Sequence, residues 1–143
     1  MFKRIMVPIE TKQKSENAME LAYNLADIHK SEIVLFNVIN PKTLKITEEL
    51  SELEIEDQRK ELEEDRYKML YSMKRTAPHD RMKVFIDIAN GEPSSMICEA
   101  ARKNKIDIII MPKTGKIGPR RVLVGDISVR VVECTNIPVM LVT

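Results

Sequence analysis

Short apolar runs alternate with stretches in which apolar residues recur at helical spacing. Ile5-Met6-Val7 lies between Lys3-Arg4 and Pro8 and predicts a buried parallel strand. Beyond the polar segment Glu10 to Lys14, Ala18, Leu21, Ala22, Leu25 and Ile28 mark one face of a helix, for which Ser15 is the expected N-cap. Ile33 to Ile39 is a second buried strand, ended by Asn40-Pro41. Strand, helix and strand in this order make a βαβ unit, with a parallel sheet and a right-handed crossover.

From Thr47 to about Arg75 there is no Gly or Pro, and strong helix formers predominate. Leu50, Leu53, Leu62, Met69, Leu70 and Met73 form a narrow apolar stripe on this predicted helix, whose early turns are expected to be loose. Met82, Val84, Ile86 and Ile88 alternate with Lys83, Phe85 and Asp87, as in a strand with one more exposed face. Gly91-Glu92-Pro93 turns the chain into a helix carrying Met96, Ile97, Ala100 and Ala101, with Ser94 or Ser95 as its cap. Ile106 to Met111 is the most hydrophobic run and is placed centrally in the sheet, Val124 to Cys134 is a last helix, and Ile137 to Val142 is a last strand. The pattern predicts one domain over residues 1–143, an α/β fold of three layers with an open, twisted, mainly parallel five-stranded sheet and four helices, Rossmann-like in construction.

Composition changes this picture in two places. The 143 residues are 43% apolar and 31% charged with a formal net charge of +1, a globular balance without the positive excess that non-specific nucleic-acid binding requires. Charge is uneven, however. Glu48 to Asp65 is strongly acidic, most simply a solvated helix face, whereas Lys113 to Arg121 carries Lys113, Lys116, Arg120 and Arg121 and no acid. A basic loop in a near-neutral chain suggests a small anionic ligand. Cys98 and Cys134 lack CxxC spacing and fall in apolar helical patterns, so they are expected to be buried free thiols of a reducing compartment. No signal-peptide pattern opens the sequence and no apolar run reaches the ~20 residues that span a bilayer, which points to a cytoplasmic protein without membrane contact.

The loop from Pro112 to Asp126 is where chemistry is expected, because ligands of open α/β sheets settle beyond the C-terminal ends of strands. Gly115 permits close backbone approach, and Gly125 opens a helix whose N-terminal N–H groups and dipole favour an anion. Gly115 and Gly125 are separated by nine residues. Together with Lys3 to Pro8, Gly91-Glu92-Pro93, Asp107 to Met111 and Asn136 to Val142, this spacing resembles the universal stress protein family over essentially the whole chain. That family carries Gly, two residues, Gly, nine residues, then Gly followed by Ser or Thr.

The resemblance implies a site for ATP with a divalent ion, Mg or Mn. It would be formed by Pro8, Ile9 and Glu10 after the first strand, Val38 at the end of the second and Met111 at the end of the fourth. The glycine motif, here Pro112, Gly115, Gly125, Asp126 and Ile127, would hold the phosphates, and by their charge alone Lys113, Lys116 and Arg120 would add contacts to them. Three positions depart from the pattern. Pro112 replaces the first glycine and has no N–H to donate. Asp126 replaces Ser or Thr, either as a simple helix cap or as a charge facing phosphate, and two like charges ~4 Å apart repel by roughly 4 kcal/mol at an effective dielectric of 20. Glu10 replaces Asp. The resemblance further implies a homodimer through Ile137 to Val142, whose apolar edge invites pairing. Three readings follow: a stress-response regulator binding ATP or another adenine nucleotide, a homodimeric interaction module of the class that binds none, and a slow ATP hydrolase. The last lacks a catalytic constellation, since neither His29 nor His79 lies near the loop in sequence and Walker-type, HExxH and GxSxG patterns are missing.

Overall fold

In the computed structural model, which describes residues 2–44, 47–113 and 125–143, the apolar runs become five strands paired in the order β3-β2-β1-β4-β5, every pairing parallel. The strands are β1 (Arg4–Pro8), β2 (Glu32–Ile39), β3 (Val84–Asn90), β4 (Ile108–Pro112) and β5 (Val139–Val142). Between them run α1 (Lys12–His29), α2 (Glu52–Lys74), α3 (Pro93–Lys103) and α4 (Asp126–Cys134). The strand order reverses at β1, with β2 on one side and β4 on the other.

Alternation along the strands sorts the core into two layers. Ile5, Val7, Ile33, Leu35 and Ile110 face α1 and α2, where Ala22 and Leu70 complete a layer with no solvent exposure at any of these seven residues. Met6, Val34, Phe36, Ile109 and Met111 face the other way, against Ile97 and Ala101 of α3 and Val131 of α4. At the entry to β4, Asp107 Oδ2 accepts the backbone N–H groups of Lys3 at 2.8 Å and Arg4 at 2.9 Å, which aligns β4 with the start of β1.

The helix starts differ from those expected. Thr11, not Ser15, caps α1 by accepting from Lys14 N, and Ser15 lies inside the helix, fully buried. The helix can begin early because Lys12 to Lys14 are polar but not helix-breaking. Glu92, not Ser94 or Ser95, caps α3 with Pro93 behind it, because a longer side chain reaches two N–H groups at once. The acidic segment is helical from Glu52, started by Ser51 accepting from Glu54 N. Leu53 does not join the expected stripe and is 71% exposed.

The cysteines depart most from expectation. Cys98 of α3 and Cys134 of α4 are joined in a disulfide with their Cα atoms 6.4 Å apart. Cys98 is half-buried and Cys134 exposed, so neither is a buried free thiol. Two helices adjacent in sequence pack side by side across β4, and 36 positions of separation hid that proximity from spacing rules.

Candidate functional site

Three strand ends converge where the order reverses. Pro8 closes β1, and Ile9 is locked beside it by its own N–H donating to Phe36 O at 2.7 Å and by its carbonyl accepting from Asn37 Nδ2 at 2.6 Å. With both backbone groups of Ile9 engaged and its side chain buried, the first residue exposed beyond β1 is Glu10. The Glu10 carboxylate lies 3.5 Å from Lys14 Nζ one helical turn on, and its carbonyl accepts from Arg66 of α2 at 3.5 Å. Val38 stands near the end of β2, half-buried and packed against the layer beneath α3 and α4.

On the other side of β1, Met111 is buried at the end of β4 and Pro112 is its last residue. Lys113 N donates to Val142 O at 2.7 Å, continuing the ladder one step beyond the strand. Ser128 of α4 is buried and donates from Oγ to Pro112 O at 3.1 Å, so the chain leaves β4 and returns as α4 at the same place. Gly125 is the N-cap of α4 and, having no side chain, makes no capping hydrogen bond. Asp126 is therefore the first residue of the helix, not its cap, and its exposed carboxylate complements the positive end of the dipole. Among the described residues no side chain caps the backbone N–H groups of this first turn, the kind of group that favours an anion.

Of the residues expected at the site, the fold brings Pro8, Ile9, Glu10, Val38, Met111, Pro112, Lys113, Gly125, Asp126 and Ile127 to one end of the sheet. Gly115, Lys116, Arg120 and Arg121 lie outside the described residues. His79 pairs with Asp27 at 2.6 Å just before β3, and His29 packs edge-on against Phe2 just before β1, so both histidines stand at the opposite end. Clefts of 370 to 420 Å³ also lie elsewhere, one between α1 and the end of α2 lined by Met19, Tyr23 and Met73, and one around His79 and Arg81.

Asn37 and Ser128 were not foreseen. Asn37 is 1% exposed and its Oδ1 has no partner among the described residues, while its amide fixes the loop after β1. A polar residue inside the apolar run Ile33 to Ile39 was the available signal. Beside α4, the Glu92 carboxyl is held down at a pKa of about 2, chiefly by the backbone N–H of Ser95 and then by hydrogen bonds to the Ser95 and Ser94 side chains. Its Oε1 also lies 3.6 Å from Arg130 Nη1, linking the start of α3 to the middle of α4.

Comparison with known proteins agrees with this geometry. The model of the universal stress protein family matches residues 1–143. The universal stress protein MJ0531 of Methanocaldococcus jannaschii is 28% identical over 148 residues, covering 99% of this chain and 82% of its own length. YxiE, a universal stress protein of Bacillus subtilis, is 24% identical, covering 99% of each. The solved structure of MJ0577, also from M. jannaschii, superposes with a TM-score of 0.82 at 29% identity, covering 99% of this chain and 96% of that one. A universal stress protein in complex with cAMP (TM-score 0.72, 15% identity) and one from Archaeoglobus fulgidus in complex with dAMP (TM-score 0.67, 14% identity) share the fold. The first covers 99% and 96% of the two chains, the second 100% of both.

Proposed function

Because the chain belongs to the universal stress protein family, we propose that it is a cytoplasmic stress-response regulator that binds an adenine nucleotide, ATP first among them, beyond the C-terminal ends of β2, β1 and β4. The observation that carries this reading is the open first turn of α4 at the point where the strand order reverses. Phosphates would sit on its N–H groups, with Lys113 adding charge, and the adenosine would lie toward Val38 and Ile9. The related folds bound to cAMP and dAMP support the ligand class.

A divalent ion fits as a companion of the phosphates, since Mg²⁺ or Mn²⁺ is commonly held by one or two carboxylates plus phosphate. Glu10 and Asp126 are the carboxylates available, and the ion would relieve the repulsion between Asp126 and phosphate. We assign the protein no catalytic role, since neither histidine is at this end of the sheet.

The test is calorimetric titration of nucleotide-stripped protein with ATP and Mg²⁺, beside an Asp126→Ser variant. With Mg²⁺ the native chain should bind saturably in the micromolar range, and with a chelator in place of Mg²⁺ the variant should bind about tenfold or more tightly than the native chain, because the uncompensated carboxylate is gone. If neither protein binds ATP, AMP or cAMP, the nucleotide reading fails.

A second reading has its own support. Met140 of the edge strand β5 and Val129 and Val132 of α4 are large apolar residues left 37%, 41% and 50% exposed, while Pro112 offers no N–H to a ligand. The chain would then act as a homodimeric interaction module joined through β5. Met140→Lys should yield monomer in sedimentation; an unchanged dimer would sink the assignment of β5 to the interface.

A further inference from the structure

The covalent link between α3 and α4 closes a ring that contains the β4–α4 side of the candidate site. Between Cys98 and Cys134 the chain runs through the second half of α3, all of β4, the segment that follows it and all of α4. The ring thus contains Met111, Pro112, Lys113, Gly125 and Asp126. Without the link, α4 is weakly held, having nine residues of which Ser128 and Val131 are buried. Helices of that length are marginal unless their packing supports them. The link grips the far end of the helix, because Cys134 is its last residue.

The bond is also accessible. Cys134 is exposed, and a cleft of about 400 Å³ is lined by both cysteines together with Glu99, Arg102 and Asn136. That space admits a small thiol, and the Arg102 guanidinium supplies positive charge near an attacking or departing thiolate, against which Glu99 acts in part.

We propose that Cys98 and Cys134 form a reversible thiol–disulfide couple that sets how firmly α4, and with it the ligand-binding turn, is held. The physiological reductant is a dithiol. One of its thiolates attacks Cys134 Sγ, forming a mixed disulfide and breaking the bond to Cys98, which leaves as a thiolate and takes up a proton. The second thiol of the dithiol, deprotonated, attacks its own first sulfur, closes the internal disulfide of the reductant and releases Cys134, which is protonated in turn. Two electrons and two protons pass from the dithiol to the protein. In a cytoplasm, the compartment proposed above, such bonds are usually transient or redox-sensing. The couple stands on the cysteine pair alone; only its effect on ligand affinity rests on the nucleotide reading.

The experiment equilibrates the native protein with mixtures of reduced and oxidised dithiothreitol, counts free thiols and measures amide exchange by mass spectrometry. Oxidising mixtures should leave no free thiol and reducing mixtures two, with the far-ultraviolet spectrum retained. Exchange across 126–134 should quicken about tenfold or more on reduction while α1 is unchanged. A Cys98→Ser, Cys134→Ser double variant should exchange at the reduced rate in every mixture. Two free thiols persisting under oxidising conditions, a bond reduced only after denaturation, global unfolding on reduction, or equal exchange across 126–134 in both states would each overturn the proposal. A parallel ATP titration should show weaker binding by the reduced form. Loss of binding in both states would count against the nucleotide reading and leave the exchange result to decide the couple.

Discussion

On one face of the sheet, α1 and α2 lay 18 and 23 residues across the strands; on the other, α3 and α4 lay 11 and 9. The long pair is held by burial, with Ile5, Leu35, Ala22 and Leu70 removed from solvent, and by a hydrogen bond from the Tyr23 hydroxyl to Met73 O at 2.9 Å. Burial there raises the Tyr23 pKa above its ordinary value, despite the opposing hydrogen bond with Thr76. The short pair has less apolar surface to bury and relies on discrete ties, namely the Glu92–Arg130 contact, the Ser128–Pro112 hydrogen bond and the disulfide. A helix whose N-terminus is to take a ligand, as proposed for α4, cannot also cover that end with apolar packing, so its stability has to come from elsewhere.

The sharpest way to break this contrast is to truncate the well-packed face. Leu70→Ala, at a side chain with no exposure, should cost about 4 kcal/mol in denaturant unfolding, by the same amount with or without a thiol reductant. A loss that depended on reductant would mean that the two faces do not hold independently. Next in size is removal of both cysteines. Opening a loop with a separation of 36 should cost about 3.8 kcal/mol on the ring-entropy account, and the effect should vanish when native and variant proteins are compared under reduction. The smallest effect belongs to the α3 cap. Glu92→Ala should cost about 1 kcal/mol near neutral pH, since the carboxylate is half-exposed and solvent screens it. The folded pKa lies below the ordinary value of 4.5, so this contribution is complete above that value and fades as pH falls toward about 2. Acid unfolding curves of the variant should therefore be flatter than those of the native protein in that window.

Much of this was legible in the sequence because strands of a parallel sheet bury both faces. Ile5 to Val7, Ile33 to Ile39 and Ile108 to Met111 announce themselves as runs, and the intervening helices follow from period and length. The exposed positions of β3 were legible too, since Phe85 and Asp87 alternate with buried or half-buried neighbours. Helix caps were harder. Thr11 and Glu92 won over Ser15, Ser94 and Ser95 because several polar residues competed within one turn, and only the direction of the incoming chain decides among them. At the site, Glu10 and Asp126 stood out as departures from a motif, but Asn37 and Ser128 work through backbone carbonyls of residues distant in sequence, which no local pattern encodes. The cysteine pair failed for the same reason, and there the missed contact changes the chemistry as well as the geometry.

The anchoring of the segment after β4 has a further consequence. Its first end is fixed by Lys113 N on Val142 O, and its second by Ser128 on Pro112 O. With both posts standing on the sheet, the length of chain between them contributes little to folding, since doubling a closed loop costs only about 0.6 kcal/mol. A change in the number of residues between these two anchors should therefore leave β4, β5 and α4 in place, with little change in unfolding free energy.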